Sequence, residues 1–393
     1  EAFRVEARRR PVGGVSMRSL VLIGSGWHPP LFRAEASALS GPIEALHPRA
    51  VFLTNDEDAL HRLSGAALVD DALNSTARLW DPSPLSVGEL ASHIAQWAAT
   101  SLPEGSFAIR ARKLGRGIDD LSRSRIESEA GALLSSDANP VDLEEPTHEI
   151  VVILAGPEDG SAHWDDAVPT SPIVLWGIRD GIPKGGYTGT SPTERPFFKP
   201  VTLDPRLARL MISLSHRRGF SPTTVVDPFC GTGGIAIEAS LLCMEVLASD
   251  LDGGMVEGTR TNLEWIGGQM SHSVEQCAAD RIHELWGERQ GCSFVFDPPY
   301  GRNAWTSDDG LELLLGALAS ARMMSPEGSV CTMLPTNPDA LGGLVSDKQA
   351  VMGRTWDEIK KLIRETGWEV ALNSPVRVHR SLSRLVVVCH PAD

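Results

Sequence analysis

From residue 223 onward, short apolar runs alternate with helical stretches, and four of the runs lead into an aspartate: Asp227, Asp250, Asp280 and Asp297. Strands are expected near 223, 245, 274, 293, 328, 368 and 384, separated by helices until the last two. Parallel neighbours need a crossover as long as a helix, so this alternation predicts a doubly wound, mostly parallel sheet. Two strands in direct succession predict a closing antiparallel hairpin. Ligands of such sheets lie at the carboxyl ends of the strands, where all four acids fall.

The first of these strands, Thr223 to Val226, runs through Asp227-Pro228-Phe229-Cys230 into Gly231-Thr232-Gly233-Gly234 and then an apolar helix. Glycines let a turn approach a ligand closely, and the helix N-terminus faces it. The spacing is G-x-G-G, without the further glycine of a dinucleotide site or the G-K-[ST] of a phosphate loop. Asp250 closes the next strand and is placed to take the two hydroxyls of a ribose. Asp280 reads as a third acidic strand end, within reach of the amino edge of an adenine. Each acid has a plainer reading as a helix cap or turn residue. For Asp252 that reading is preferred, because it opens the helix running through Met255 to Trp265.

The run Phe294-Val295-Phe296-Asp297-Pro298-Pro299-Tyr300-Gly301 carries a specific chemistry. An amino group on a nucleobase is a poor nucleophile, because its lone pair is delocalised into the ring. A carboxylate and a neighbouring backbone carbonyl can accept hydrogen bonds from its two N–H groups and turn the lone pair toward an incoming methyl group. Pro298 and Pro299 fix the direction of that carbonyl, and Tyr300 offers a ring for stacking. Taken alone, the run is equally a strand end with a Pro-Pro turn.

In this order, Gly-rich turn, ribose acid, adenine acid and Asp-Pro-Pro-Tyr, the second half resembles a class I S-adenosylmethionine-dependent methyltransferase of the amino-methylating kind, with a Rossmann-like α/β sheet whose last strand is antiparallel. The resemblance implies S-adenosylmethionine as cofactor. It gives Asp227, Phe229, Gly231 and Gly233 to the methionine end, Asp250 to the ribose and Asp280 to the adenine. Asp297, Pro298 and Tyr300 go to catalysis.

The 393-residue chain is long enough for more than one full-sized core. Its net charge of −15 argues against indiscriminate nucleic-acid binding. One segment runs the other way: Arg110, Arg112, Lys113, Arg116, Arg123 and Arg125 stand against Asp119 and Asp120. In the strand Ser106–Lys113, Phe107, Ile109 and Ala111 face one side while Arg110 and Arg112 face the other. The face is either an ordinary solvated one or a surface for phosphate contacts. With the following helix, Val141-Asp142-Leu143-Glu144-Glu145-Pro146 and the strand Glu149–Leu154, the segment resembles a THUMP domain. Such domains occur in RNA-modifying enzymes and engage the acceptor end of tRNA, which makes Arg110, Arg112, Lys113, Arg116 and Arg123 the expected RNA contacts. Gly26-Trp27-His28-Pro29-Pro30 and the helix after it resemble the ferredoxin-like domain that accompanies THUMP. His28 itself reads as a turn residue.

The helix opened by Asp204-Pro205, and the hairpin Val376-Arg377-Val378-His379-Arg380-Ser381-Leu382-Ser383-Arg384, extend the resemblance to the archaeal and eukaryotic tRNA guanosine-10 N2-methyltransferases. The expected organisation is a flexible tail (1–16, Met17 reading as a start), a ferredoxin-like domain (17–80), a THUMP-like domain (81–175), a linker (176–200) and the methyltransferase domain (201–393). The family implies tRNA as substrate and leaves open mono- or dimethylation and a small activating subunit, which some relatives use. Three readings stay beside it: another tRNA or ribosomal RNA guanosine, DNA amino-methylation, and a non-catalytic RNA-binding protein. The six cysteines form no C-x-x-C and read as buried free thiols of a cytoplasmic protein. No metal site is expected, and no stretch is long enough to span a membrane.

Overall fold

The computed structural model describes residues 18–55, 57–82, 85–158, 168–169, 171–181, 191–200, 202–268, 270–299, 308–336, 346–379 and 382–393. The expected tail, most of the Gly-rich part of the linker, and Tyr300 lie outside them. The chain divides into two units, Glu1–Ser64 with Leu68–Lys184, and Gly65–Ala67 with Gly185–Asp393.

The first unit holds β1 (Arg18–Gly24), α1 (Pro29–Ser40), β2 (Glu44–His47), β3 (Ala50–Asn55), α2 (Glu57–Ser64), β4 (Val69–Trp80), α3 (Val87–Ser101), β5 (Phe107–Leu114), α4 (Arg123–Leu134), β6 (His148–Ala155) and β7 (Ile173–Arg179). They form one sheet in the order β2-β3-β1-β4-β7-β6-β5. Only β5 and β6 pair in parallel, and α4 is the crossover between them. His28 accepts the Leu31 N–H at the start of α1, and a reciprocal Ser86–Glu89 box opens α3. Phe107, Ile109 and Ala111 enter a core with Trp97, Ile126 and Trp176, as the alternation of β5 requires. The boundary expected at residue 80 falls between β4 and α3, whose flanking strands share this sheet. Residues 176–179, expected as linker, are the end of β7.

The second unit opens with a 3-10 turn, Pro192–Glu194, then α5 (Pro205–Leu214), β8 (Thr224–Asp227), α6 (Gly234–Leu241), β9 (Glu245–Asp250), α7 (Gly253–Ile266) and β10 (His272–Gln276). It continues through α8 (Ile282–Trp286), β11 (Cys292–Phe296), α9 (Asp308–Met324), β12 (Ser329–Thr336), the short strands β13 (Ala350–Val351) and β14 (Arg354–Thr355), α10 (Trp356–Glu365), β15 (Trp368–His379) and β16 (Leu382–Pro391). The main sheet runs β10-β9-β8-β11-β12-β16-β15. Strands β10, β9, β8, β11 and β12 are parallel, and β16 is antiparallel to both neighbours. This is the α/β class I methyltransferase sheet expected from the sequence. The strand order reverses between β8 and β11, so the crevice at the switch point lies where Asp227 and Asp297 end their strands. Behind it Phe294, Phe296, Leu314, Trp356 and Trp368 fill the core.

Candidate active site

The Gly-rich turn is held from three sides. Asp227, nearly buried at the end of β8, accepts the Phe229 N–H at 3.1 Å. Gly231 and Gly233 have φ of +51° and +79°, a region that costs a side chain strain. A Cβ built on Gly231 would meet only the Phe229 carbonyl oxygen, at 3.9 Å, so the glycine opens a cradle that a side chain would fill. From α7, Thr259 donates to the Gly231 carbonyl at 2.9 Å, and Asn262 donates to the carbonyls of Thr232 and Phe197 at 2.9 and 2.8 Å. Both residues are fully buried. Sequence reading had passed them over as ordinary helix positions; their signal is two polar residues facing inward on a helix that otherwise buries apolar ones.

Asp250 sits across this turn. Its Oδ2 accepts the Gly231 N–H at 3.0 Å and its Oδ1 the Asp252 N–H at 2.9 Å. A carboxylate has about four acceptor sites, so both oxygens keep capacity for the hydroxyls of a ribose. The next residue, Leu251, is 66% exposed. It supplies an apolar surface beside Asp250 that the sequence reading did not single out. Asp252 caps α7 through the Gly254 N–H, as expected.

Asp280 requires a correction. Strand β10 ends at Gln276, and Asp280 is exposed in a 3-10 turn, Ala279–Arg281, ahead of α8. The short edge strand is half-solvated, and two consecutive alanines favour the helical turn over its extension. Asp280 is therefore a turn acid four residues beyond the strand, with its Cβ against Gly316 of α9.

Asp297 directly follows β11 with its side chain 19% exposed, and Pro298 after it is buried. Phe296, one residue earlier, packs against Phe229 of the Gly-rich turn at 5.5 Å between ring centroids. Burial pushes the Asp227 carboxyl well up, opposed by its bond from Phe229 and reinforced by the charges of Asp250 and Asp297. Three of the four acids thus share one electrostatic environment at the switch point. Burial, with Asp227 beside it, also pushes up the thiol of Cys230. It is a protonated packing group, not a nucleophile.

The basic segment belongs to the first unit. Arg110 donates to the Leu143 carbonyl at 2.6 Å and pairs with Glu149 at 3.4 Å, while Arg112 pairs with Asp71 at 2.8 Å. Arg179, from β7, bridges Asp71 and Glu149. Two of the five expected RNA contacts are therefore tied into the fold, beside an arginine that the sequence reading missed. Lys113, Arg116 and Arg123 are exposed. Among the described residues no cluster of His, Cys, Asp and Glu is arranged to hold a metal, and no helix is long and apolar enough to cross a membrane.

The UPF0020 family, described as an RMKL-like methyltransferase domain, matches residues 192–356. The tRNA (guanine(10)-N2)-dimethyltransferase of Methanothermobacter thermautotrophicus is 32% identical over 285 residues, 72% of either chain. Its namesake from Pyrococcus abyssi is 29% identical over 258 residues, 65% of this chain and 71% of that one. Among solved structures, TrmN from Thermus thermophilus aligns with 96% of this chain and all of its own, at 20% identity and a TM-score of 0.47. With the Gly-rich turn, Asp250 and the Asp297-Pro298-Pro299 strand end in one methyltransferase sheet, the chain belongs to the tRNA (guanine(10)-N2)-dimethyltransferase family.

Proposed function

We propose that this chain transfers methyl groups from S-adenosylmethionine to the exocyclic N2 of a tRNA guanosine, at position 10. The observation that carries the reading is the placement of Asp297 at the end of β11, across the switch point from the Gly-rich turn and Asp250. The open cradle at Gly231, the acceptor capacity of Asp250 and the apolar Leu251 fit a nucleoside cofactor. Asp227, Phe229, Gly231 and Gly233 would shape the methionine end. Asp250 would take the ribose, and Asp280, from its turn, the adenine. When bound, S-adenosylmethionine supplies an electrophilic methyl carbon.

Asp297 accepts from one N–H of the target amine, and the backbone carbonyl fixed by Pro298 and Pro299 takes the other. The lone pair is thereby turned toward the methyl carbon. The guanine leaves its stack to reach these groups, and Tyr300 offers the ring on which it rests. In the first half, Lys113, Arg116 and Arg123 would meet phosphates of the tRNA end, with Arg110 and Arg112 shaping that face from their ion pairs.

The test uses labelled S-adenosylmethionine and two tRNA transcripts, with guanosine or adenosine at position 10, and a duplex DNA control. Label only on the guanosine transcript is expected, as mono- and dimethylated N2 on nucleoside analysis. Equal label on both transcripts would move the site, and label on DNA would overturn the substrate class.

Asp250→Ala should weaken S-adenosylmethionine binding about 10- to 100-fold, because hydrogen bonds to a charged group contribute roughly 1.5–3 kcal/mol. Asp250→Asn, which keeps one acceptor oxygen, should fall between. Calorimetry reads both, and an unchanged Kd for the alanine variant would remove Asp250 from the ribose site.

A further inference from the structure

Because β16 runs antiparallel to its neighbours, its first residues lie at the edge where the parallel strands end. The register pairs Thr336 with Ser383 and Pro335 with Arg384, so Arg384 sits beside the carboxyl end of β12. From there its Nη1 comes within 3.5 Å of Oδ1 of Asp297, the two side chains being 11% and 19% exposed. Arg384 immediately precedes the buried run Leu385–Cys389. A guanidinium drawn this far out of water is costly unless a partner compensates it, and an apolar side chain of similar size would often pack as well or better. The charge is directed instead at the one carboxylate proposed to touch the substrate.

We infer that Arg384 is a positioning residue for the methyl transfer proposed above, on which this role rests. It holds Oδ1 of Asp297 and so fixes the plane of the carboxylate that meets the target amine. Asp227 on β8 also lies within electrostatic reach of Asp297 and carries the opposite influence. An ionised carboxylate accepts hydrogen bonds on both oxygens and donates none. The hairpin that closes the sheet thus also completes the site.

The test compares full-length wild type with Arg384→Gln and Arg384→Lys, alone and combined with Asp297→Asn. Single-turnover methylation of the guanosine transcript, KM for tRNA, cofactor Kd by calorimetry and melting temperature are measured for each. Arg384→Gln should lower the single-turnover rate by about 10- to 100-fold, the scale of a carboxylate displaced by about an ångström. Cofactor Kd and tRNA KM should change by less than about threefold, since neither ligand is bound through Arg384. Arg384→Lys, which keeps the charge, should recover most of the rate. In the Asp297→Asn background, Arg384→Gln should cost less than about twofold, because its effect passes through the carboxylate. An unchanged rate in Arg384→Gln overturns the role. So does an equal loss with and without Asp297, or a loss that tracks melting temperature and is shared by Arg384→Lys. A wild type inert on every tRNA overturns the underlying reading instead, and this role with it.

Discussion

Asp297→Ala should lower methyl transfer by about 100- to 1,000-fold, the scale of a removed catalytic hydrogen-bonding group, while cofactor affinity should stay within about threefold of wild type. The separation follows from where the hydrogen bonds run. The Gly-rich turn is held by Asp227, Asp250, Thr259 and Asn262, and these bonds do not pass through Asp297. What the alanine removes, on the proposed mechanism, is the acceptor that turns the amine lone pair, and this is needed only as the methyl group moves. Asp297→Asn should be intermediate, since the amide keeps one acceptor oxygen and adds a donor that competes with the substrate N–H. Single-turnover rates with labelled cofactor, together with calorimetric Kd values, separate the two effects. If the alanine variant lost affinity and rate in equal proportion, Asp297 would be a cofactor ligand and the proposed orientation of the amine would fail.

Much of this site could be read from the chain because the residues that build it are neighbours in sequence. Asp227 and the glycines share one turn, and Asp250 and Asp297 each close an apolar strand. Asp204 and Asp252 stand directly before the helices they cap. What escaped depends on partners far away along the chain. Strand β4 carries Asp70, Asp71, Asn74 and Ser75 and does not look like a strand until β1 and β7 are on either side of it. Strand β7 is a short apolar run beside a Gly- and Pro-rich stretch, and only the pairing with β4 and β6 reveals it. Thr259 and Asn262 are polar residues on a helix, a pattern normally given to solvent. They are buried because the turn of β8 presents carbonyls to them. Asp280 falls outside its expected strand for the opposite reason: an edge strand with a wet face gives no hydrophobic signal of where it stops, and the helical preference of Ala278 and Ala279 is too short a run to mark the boundary. Arg110 and Arg112 were correctly set on the polar face of β5. Their pairing with Glu149 and Asp71 needs the sheet order, which no local pattern contains.

Glu238→Ala should destabilise the methyltransferase unit by about 3–5 kcal/mol, the usual consequence of removing one partner from a buried ion pair. Glu238 lies on α6, the helix that leaves the Gly-rich turn, and is fully buried. Its Oε2 accepts from Nε of Arg209 at 2.8 Å and lies 2.7 Å from Nη2. Arg209 is itself only 5% exposed. A second buried guanidinium, Arg195, lies beside the N-terminus of α6, where a Cβ on Gly234 would be 3.6 Å from its Nη1. Burial lowers the Arg195 guanidinium from its ordinary range, and the charges of Glu238 and Asp204 oppose that shift. Glu238 therefore pairs directly with Arg209 and also favours the charge of Arg195, and its loss removes both contributions. The melting temperature should fall by roughly 6–20 °C for a unit of this size, and saturating cofactor should recover part of the loss by mass action. Glu238→Gln should cost nearly as much, because it keeps the shape and removes the charge. Replacing Glu238 and Arg209 together by methionine should cost less than either single change, since the double variant buries no charge at that contact. Thermal unfolding of wild type and these three variants, with and without cofactor, decides the matter. A melting temperature for Glu238→Ala within about 1 °C of wild type would mean that water reaches this pair, and that α6 is held to α5 by its apolar face alone.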